Sequence, residues 1–237
     1  FYFKKHNSEE HLSIRKFNNM VKAELLQHYT NNISSDSWVI DLGSGKGQDI
    51  FKYASLANVK NVIFIDNNEN NLCSIIERKY KLAYNNSNND SLGIYIKNID
   101  LMSDWESNQK MIKESNPFIQ KNKIKLSVCN FAIHYFVHSL DSLDNFINLV
   151  DAFLPSGSRF IFTCLNGEMI FNLLKLNKSW GDGKKYLIKS CYDNKIFKGG
   201  EEIDILLPFS DSLYKEFLVN LSLIEKRFKR KRIFKNH

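Results

Sequence analysis

The sequence predicts an α/β fold in which a mostly parallel central sheet is flanked by helices on both faces. Short apolar runs such as WVIDLG and NVIFID alternate with helical segments of ten or more residues. This alternation is typical of βαβ units. The runs are apolar along their whole length, as expected when helices cover both sides of a parallel sheet.

The elements can be placed in order. SIRKFNNMVKAELLQHY has apolar residues at helical spacing and predicts a helix over residues 14–29. The predicted strands are WVIDLG, NVIFID, IYIKNID, KIKLSVCNF and SRFIFTCL. The predicted intervening helices are GQDIFKYASLA, NENNLCSIIERKYKLAY, SDWESNQKMIKES and SLDSLDNFINLVDAFL, and NNSNNDSLG is predicted to be a polar loop. Beyond Leu165 the pattern is irregular, and we expect a helix near residues 211–220 and a strand near Leu223.

Length and composition favour one folded domain. The chain has 237 residues, 43% of them hydrophobic, which suffices for one sizeable core. We expect a single domain over residues 1–237, with an N-terminal helical segment (1–35), a core (38–165) and a C-terminal part (166–237). Because the chain begins with Phe1 and not Met, we expect it to be part of a longer polypeptide, with or without further domains.

Cysteine usage and hydropathy exclude several classes. No apolar run reaches eighteen residues, so no membrane partner is expected, and no signal-peptide pattern is present. The four cysteines are scattered without a CxxC pair, which predicts no metal site and an intracellular protein with reduced thiols. We expect a nuclear location for a cellular eukaryotic protein and a cytoplasmic one for a cytoplasmic virus or plasmid.

The net charge of +7 favours an anionic partner such as RNA or a nucleotide. The same excess of lysine would follow from an AT-rich genome, so both explanations stay open. The basic run at residues 226–232 could bind RNA, although a frayed solvated tail explains it more simply.

The turn after the first strand, VIDLGSGKGQDI, predicts a cofactor site. Gly43 and Gly45 allow a tight turn and close approach of a ligand to the backbone. The spacing is G-x-G-x-G, which differs from the dinucleotide fingerprint, and no Walker lysine motif is present. The carboxylate of Asp41 would repel a pyrophosphate but suits a ligand with an ammonium group. S-adenosylmethionine (SAM) has an ammonium, a ribose and an adenine, and no phosphate.

Two further carboxylates follow successive strands. Asp66 ends the second predicted strand and could accept both ribose hydroxyls of an adenosine. Asp100 ends the third and could accept the adenine amino group, although Asp is also a common helix cap. Three carboxylates at three neighbouring strand ends are stronger evidence for SAM than any one alone.

The sequence resembles Rossmann-like class I SAM-dependent methyltransferases from about Trp38 to Leu165. A narrower resemblance, from about Ser13 to Ile224, is to the mRNA cap guanine-N7 methyltransferases. It rests on RKFNNMVKAELL, on IDLGSGKGQDIFKY, where the family usually has Cys at Ser44, and on CNFAIHYF, commonly QFxxHY in the family. IDILLPF is similar to the segment that carries the family's acidic guanine ligand.

The resemblance implies roles for individual residues. SAM would be bound by Lys22, Asp41, Gly43, Gly45, Asp66, Asp100, Asn130 and Tyr135, and would leave as S-adenosylhomocysteine. The capped RNA 5′ end would be bound by Asn18, Lys46, Arg78, His134, Tyr135 and Asp204. Asp204 stands where the family usually has Glu, and Glu201 and Glu202 compete for that role. Other capping-enzyme domains or subunits are implied as partners.

The implied reaction needs no catalytic base and no metal. Guanine N7 has a lone pair and no proton to lose, so methyl transfer would be an in-line displacement that depends on proximity and orientation. Two alternatives remain: a class I methyltransferase acting on a small-molecule or protein acceptor, and a non-catalytic methyltransferase-like subunit of a capping complex. Whether RIFKNH replaces the family's last edge strand is also open.

Overall fold

The chain divides into two compact units. The computed structural model describes residues 9–85, 92–114, 123–208, 210 and 212–235. We call Val21–Ala132 with Asn145–Thr163 the parallel-sheet unit, and Phe1–Met20, Ile133–Asp144 and Cys164–His237 the antiparallel-sheet unit. Two of the four boundaries between these segments fall within helices, α1 (Glu9–Thr30) and α5 (Leu140–Phe153).

The parallel-sheet unit has the predicted α/β architecture. Its five strands are all parallel and lie in the order β3-β2-β1-β4-β5. In chain order its elements are β1 (Ser37–Leu42), α2 (Ile50–Ala54), β2 (Val59–Asp66), α3 (Glu69–Asn85), β3 (Gly93–Asn98), α4 (Trp105–Glu114), β4 (Ile124–Asn130) and β5 (Arg159–Thr163). The five predicted strands are therefore confirmed.

The core of this unit explains why the strands are apolar throughout. Every residue of β1 is buried, because both faces of the central strand are covered. Val39, Val62 and Phe64 on the sheet pack in one cluster with Ile50 of α2 and Ile75 of α3. The central strands β1, β2 and β4 bring their carboxyl ends to one edge of the sheet, where an open α/β fold binds its ligands.

The antiparallel-sheet unit contains a second, smaller sheet. Its four strands lie in the order β6-β7-β8-β9, each antiparallel to its neighbour. Its elements are a 3-10 helix (Ile133–Phe136), α6 (Gly167–Asn177), β6 (Ser179–Gly181), β7 (Leu187–Ser190), β8 (Glu202–Leu206), β9 (Tyr214–Phe217) and α7 (Leu221–Lys235). Phe171 and Leu174 of α6 pack on Ile203 of β8 and Leu218, and close a separate core.

Two sequence expectations in this unit are wrong. The helix predicted near residues 211–220 is instead strand β9, because its backbone pairs with β8 from Tyr214 opposite Ile205 to Phe217 opposite Glu202. The strand predicted near Leu223 is instead helix α7. The side chain of Asn220 accepts the Leu223 N–H at 3.0 Å and caps the start of this helix.

Helix α7 runs to Lys235 and so includes the RIFK segment that was considered for an edge strand. Residues 86–91 of the predicted polar loop and residue 211 lie outside the described residues. Among the helices that the structure describes, none combines the length and the apolar character needed to cross a membrane.

Candidate active site

The glycine turn after β1 has the backbone shape that the sequence predicts. Gly43 and Gly45 have φ of +67° and +53°, in the left-handed region that favours glycine. A Cβ added to Gly43 would lie 2.6 Å from the Ala132 Cβ, whereas one added to Gly45 would meet no atom within 4 Å. Gly43 is therefore required by φ and by space, and Gly45 by φ alone.

Asp66 at the end of β2 is tied to this turn. Its Oδ2 accepts the Gly45 N–H at 2.8 Å, and its Oδ1 accepts the Asn68 N–H at 2.9 Å and the Asn71 amide at 3.1 Å. Two carboxylate oxygens offer about four acceptor sites, so Oδ2 keeps capacity for a further donor. The structure brings Gly45 and Asp66 together, as a shared ligand site requires.

Asp41 at the end of β1 is a buried acid with an unusual ionisation. Its carboxylate accepts the Tyr53 hydroxyl at 2.9 Å, and only 3% of the residue is exposed. Burial, followed by the nearby Asp49 carboxylate, raises the pKa of Asp41 to about 7. An added cation would relieve this penalty, so the site is suited to an ammonium group.

Asp49, which sequence reasoning missed, joins two of the predicted cofactor residues. Its carboxylate accepts from Lys22 Nζ at 2.8 Å, from Lys52 Nζ at 2.7 Å and from the Asn130 amide at 3.1 Å. Burial alone would raise the pKa of Asp49, but the charges and hydrogen bonds of the two lysines hold it below its ordinary value. Asn130 in turn accepts the Thr163 hydroxyl at 3.1 Å, which fixes the amide orientation.

The chain leaves β4 through a strained residue. Phe131, directly after Asn130, has φ of +53°, and its N–H donates to the Thr163 carbonyl at 2.9 Å. A bulky side chain in the left-handed region costs on the order of 1–2 kcal/mol. Such strain is concentrated at functional sites, and here it ends the strand abruptly before His134 and Tyr135.

Three predicted residues of the parallel-sheet unit lie outside this hydrogen-bonded group. Asp100 is exposed and accepts the Met102 N–H at 2.9 Å, as a turn residue does. Arg78 donates from Nε to the Lys46 carbonyl at 2.8 Å, which holds the two basic residues side by side. Their ligand roles stay predictions.

In the antiparallel-sheet unit, His134 faces a buried carboxyl group that the sequence analysis did not select. His134 Nε2 lies 3.6 Å from Glu216 Oε1, beyond hydrogen-bond range, and the residues are 7% and 8% exposed. Among the described residues, His134 Nε2 has no hydrogen-bond partner. The ring of Tyr135 is 4.1 Å from the His134 ring, centroid to centroid.

The protonation of this cluster follows from burial. Desolvation lowers the pKa of His134 to about 4, so the imidazole is neutral at neutral pH. Burial raises the pKa of Glu216 to about 7, against a hydrogen bond from Tyr214 that lowers it. The two side chains are therefore not an ion pair. They are a neutral ring and a carboxyl group that ionises near pH 7 and is available to hydrogen-bond donors.

Asp204 is not part of this cluster. Residues that pair across antiparallel strands share a face, so Glu216 lies on the face of its partner Ile203, and Asp204 lies on the other face with its partner Lys215. On its other side, Asp204 pairs with Lys189 of β7. Asn18, the remaining predicted cap residue, is half-buried on α1.

Of the two missed acids, only Glu216 carries a weak sequence signal. Asp49 directly precedes the helix that follows the glycine turn. An acidic side chain is common at the start of a helix, so its presence there does not indicate a functional role. Glu216 lies between Tyr214 and Phe217 in LYKEFLVN, and aromatic residues are enriched in strands, although the segment is predicted to be a helix. A strand assignment would have marked Glu216 as an acid on a buried face.

Comparison with known proteins gives the family. The model of the mRNA (guanine-N(7))-methyltransferase domain matches residues 2–196. An mRNA-capping enzyme of African swine fever virus (isolate Pig/Kenya/KEN-50/1950) is 31% identical over 220 residues, which cover 88% of this chain and 25% of that protein. The mRNA cap guanine-N(7) methyltransferase of Schizosaccharomyces pombe is 24% identical over 187 residues, covering 76% and 48%. This chain thus spans about a quarter of the viral enzyme.

Solved structures share the fold at low identity. A SAM-dependent methyltransferase from Clostridium acetobutylicum ATCC 824 is similar with a TM-score of 0.55 and 14% identity, over 91% of this chain and 78% of that one. PH0226 from Pyrococcus horikoshii OT3 gives a TM-score of 0.54 and 13% identity, over 96% and 84%. These likenesses confirm the predicted Rossmann-like fold. By its sequence match, the chain belongs to the mRNA (guanine-N7)-methyltransferase domain family, whose members depend on SAM.

Proposed function

We propose that this chain transfers a methyl group from SAM to N7 of the terminal guanine of the mRNA 5′ cap. The observation that carries the proposal is the buried polar cluster around His134. A nearly enclosed imidazole nitrogen with no hydrogen-bond partner in the described part of the chain, beside a carboxyl group, calls for a ligand that offers hydrogen-bonding edges. A purine base has such edges, and the adjoining Tyr135 ring offers it a stacking surface.

The residues around the glycine turn fit SAM. Asp66 keeps an acceptor site for a ribose hydroxyl, and Asp41 offers a buried carboxyl group to an ammonium. Lys22 offers its ammonium group to a ligand carboxylate. The ammonium group would then donate both to the ligand and to Asp49. When bound, SAM supplies an electrophilic methyl group on a sulfonium.

Glu216 is the acid that we assign to the guanine edge, in place of Asp204. Guanine presents N1–H and N2–H donors on one edge, and an ionised carboxylate accepts both. Methylation at N7 makes the ring cationic, so the attraction of the carboxylate grows as the reaction proceeds. Asp204 lies on the other face of the strand pair, between two lysines, and lacks this placement.

No residue is asked to remove a proton. N7 is a free lone pair, so the task of the protein is to orient the base and to exclude water. His134 is neutral at neutral pH and can make a polar contact to the base without adding a charge that would oppose the developing cation. Glu216 must be ionised to accept two donors, and its pKa of about 7 makes cap affinity fall as the pH drops below neutrality.

The test is methyl transfer from labelled SAM to a GpppA-capped RNA, with uncapped RNA and GTP as parallel acceptors. We expect label on the capped RNA, at N7 of the terminal guanine. Label on a small molecule or a protein instead would support another class I methyltransferase. A parallel measurement of SAM binding tests the second alternative, a non-catalytic subunit. A chain that binds neither SAM nor capped RNA would be such a subunit.

A further inference from the structure

Nearly all of the net positive charge of the chain is concentrated in helix α7. Residues Leu221–Lys235 contain seven lysines and arginines and one carboxylate, Glu225, a net charge of +6. The whole chain has 33 basic and 26 acidic residues, a net charge of +7. The remaining residues are therefore almost balanced, and the basic character of the protein comes from one element.

Helix α7 is anchored to its unit at its first turns. Ile224 is 3% exposed, and its N–H donates to the Asn220 carbonyl at 3.1 Å. Arg227 donates from Nη1 to Asp144 Oδ2 at 2.6 Å, which fixes the helix against the start of α5 within the antiparallel-sheet unit. These turns are therefore ordered helix rather than a frayed solvated tail, and the helix fixes the backbone positions of their charged residues.

The outer face of α7 is basic. Lys226, Lys229 and Arg230 are exposed, and because Lys229 and Arg230 follow Lys226 by three and four residues, the three project from one side of the helix. The single acid, Glu225, pairs with Lys229 at 2.5 Å. We call the exposed trio the α7 basic face. A row of three cations opposed by one carboxylate keeps a net positive charge, which attracts a polyanion rather than a single anion.

We propose that the α7 basic face binds the sugar-phosphate backbone of the RNA chain that follows the cap. This inference rests on the proposed function, because a capped RNA is one molecule whose phosphodiester chain continues from the bound guanine. Lysine and arginine contacts to phosphates carry no sequence information, so binding should be independent of RNA sequence and sensitive to salt. The cap site would set the position of methylation, and α7 would supply affinity for the chain.

The test compares two acceptors and three charge variants. The acceptors are the GpppA dinucleotide and a capped RNA of about 20 nucleotides, long enough for several phosphate contacts. The first variant combines Lys226→Gln, Lys229→Gln and Arg230→Gln. The second keeps the charges as Lys226→Arg, Lys229→Arg and Arg230→Lys. The matched control removes three exposed lysines of helices α3 and α4 as Lys81→Gln, Lys110→Gln and Lys113→Gln.

We expect the glutamine variant of α7 to raise KM for the capped RNA about tenfold and to leave KM for the dinucleotide unchanged. The dependence of log KM on log salt should become shallower by about 2, from roughly 0.7 for each lost phosphate contact to a single strand. The charge-preserving variant should behave as wild type. An equal loss in the lysine control, or an unchanged KM for capped RNA, would overturn the proposal.

A direct binding measurement separates this proposal from the proposed function. Uncapped RNA binding to the 237-residue chain needs no methyl transfer, so it reports on α7 even if the cap reaction fails. We expect the glutamine variant of α7 to lose about tenfold in affinity for uncapped RNA, which the lysine control keeps. Equal binding by wild type and variant would refute the α7 role, whereas absence of transfer to the dinucleotide by wild type would refute the proposed function.

Discussion

The buried acid Asp41 gives the sharpest test of the electrostatics of the cofactor site. Replacement by Asn keeps the shape of the side chain and an oxygen that can accept the Tyr53 hydroxyl, and removes the ionisation. In the folded protein the Asp41 pKa is raised from 3.8 to about 7, chiefly by burial. The neutral form is thus favoured, and wild type must lose stability as its carboxyl group ionises.

The magnitude and the sign follow from proton linkage. A carboxyl group with a raised folded-state pKa stabilises the folded protein fully below its unfolded pKa, and this contribution is lost as the pH rises through about 7. Each pH unit in that window is worth about 1.4 kcal/mol. Between pH 5 and pH 8 the stability of Asp41→Asn relative to wild type should therefore rise by about 3 kcal/mol.

The assay is urea unfolding of both proteins at pH 5, 6, 7 and 8. The difference between them isolates Asp41, because every other titrating group is present in both. The surface variant Glu77→Gln, which removes an exposed carboxylate from helix α3, is the control. If the difference in unfolding free energy between wild type and Asp41→Asn stays constant over this pH range, the raised pKa of Asp41 is refuted.

Three further outcomes are expected. Gly43→Ala should lower the free energy of unfolding by about 2 kcal/mol or more through strain and a clash, and Gly45→Ala by about 1 kcal/mol through strain alone; thermal unfolding would compare them. Tyr214→Phe removes a hydrogen bond that lowers the pKa of Glu216, so the acid limb of the pH profile of methyl transfer should move to higher pH. Lys22→Met leaves a buried carboxylate with one cation fewer, and we expect a loss of about 2 kcal/mol in stability and at least tenfold weaker SAM binding by calorimetry.

The parallel-sheet unit could be predicted because its signals are local. Each strand is a short apolar run. The turn after the first strand has three closely spaced glycines, which indicate a tight turn. The positions of Asp41 and Asp66 at neighbouring strand ends then follow from topology alone. The role of Asp49 could not be predicted, since its partners Lys22 and Asn130 are 27 and 81 residues away in sequence.

The antiparallel-sheet unit was harder to predict because its strands are short and its pairing is non-local. Strand β9 has four residues and is defined by its partner β8, not by its own composition. An assignment of this segment to a helix hides the alternation that brings Glu216 to the buried face. Asp204 on β8 is one position beyond Ile203, the residue opposite Glu216, and a change of one position along a strand moves a side chain to the other face.

The measurement that tests the central claim most directly is methyl transfer to the cap by Glu216→Gln and by Asp204→Asn. Both variants replace one carboxyl group by an amide on the same pair of strands, so they are matched in chemistry and in location. We expect Glu216→Gln to lower kcat/KM for the capped acceptor about 100-fold, as the loss of charge-assisted hydrogen bonds implies, with SAM affinity unchanged. Asp204→Asn should stay within about twofold of wild type. The reverse result, a large loss with Asp204→Asn and none with Glu216→Gln, would contradict the acceptor site described above.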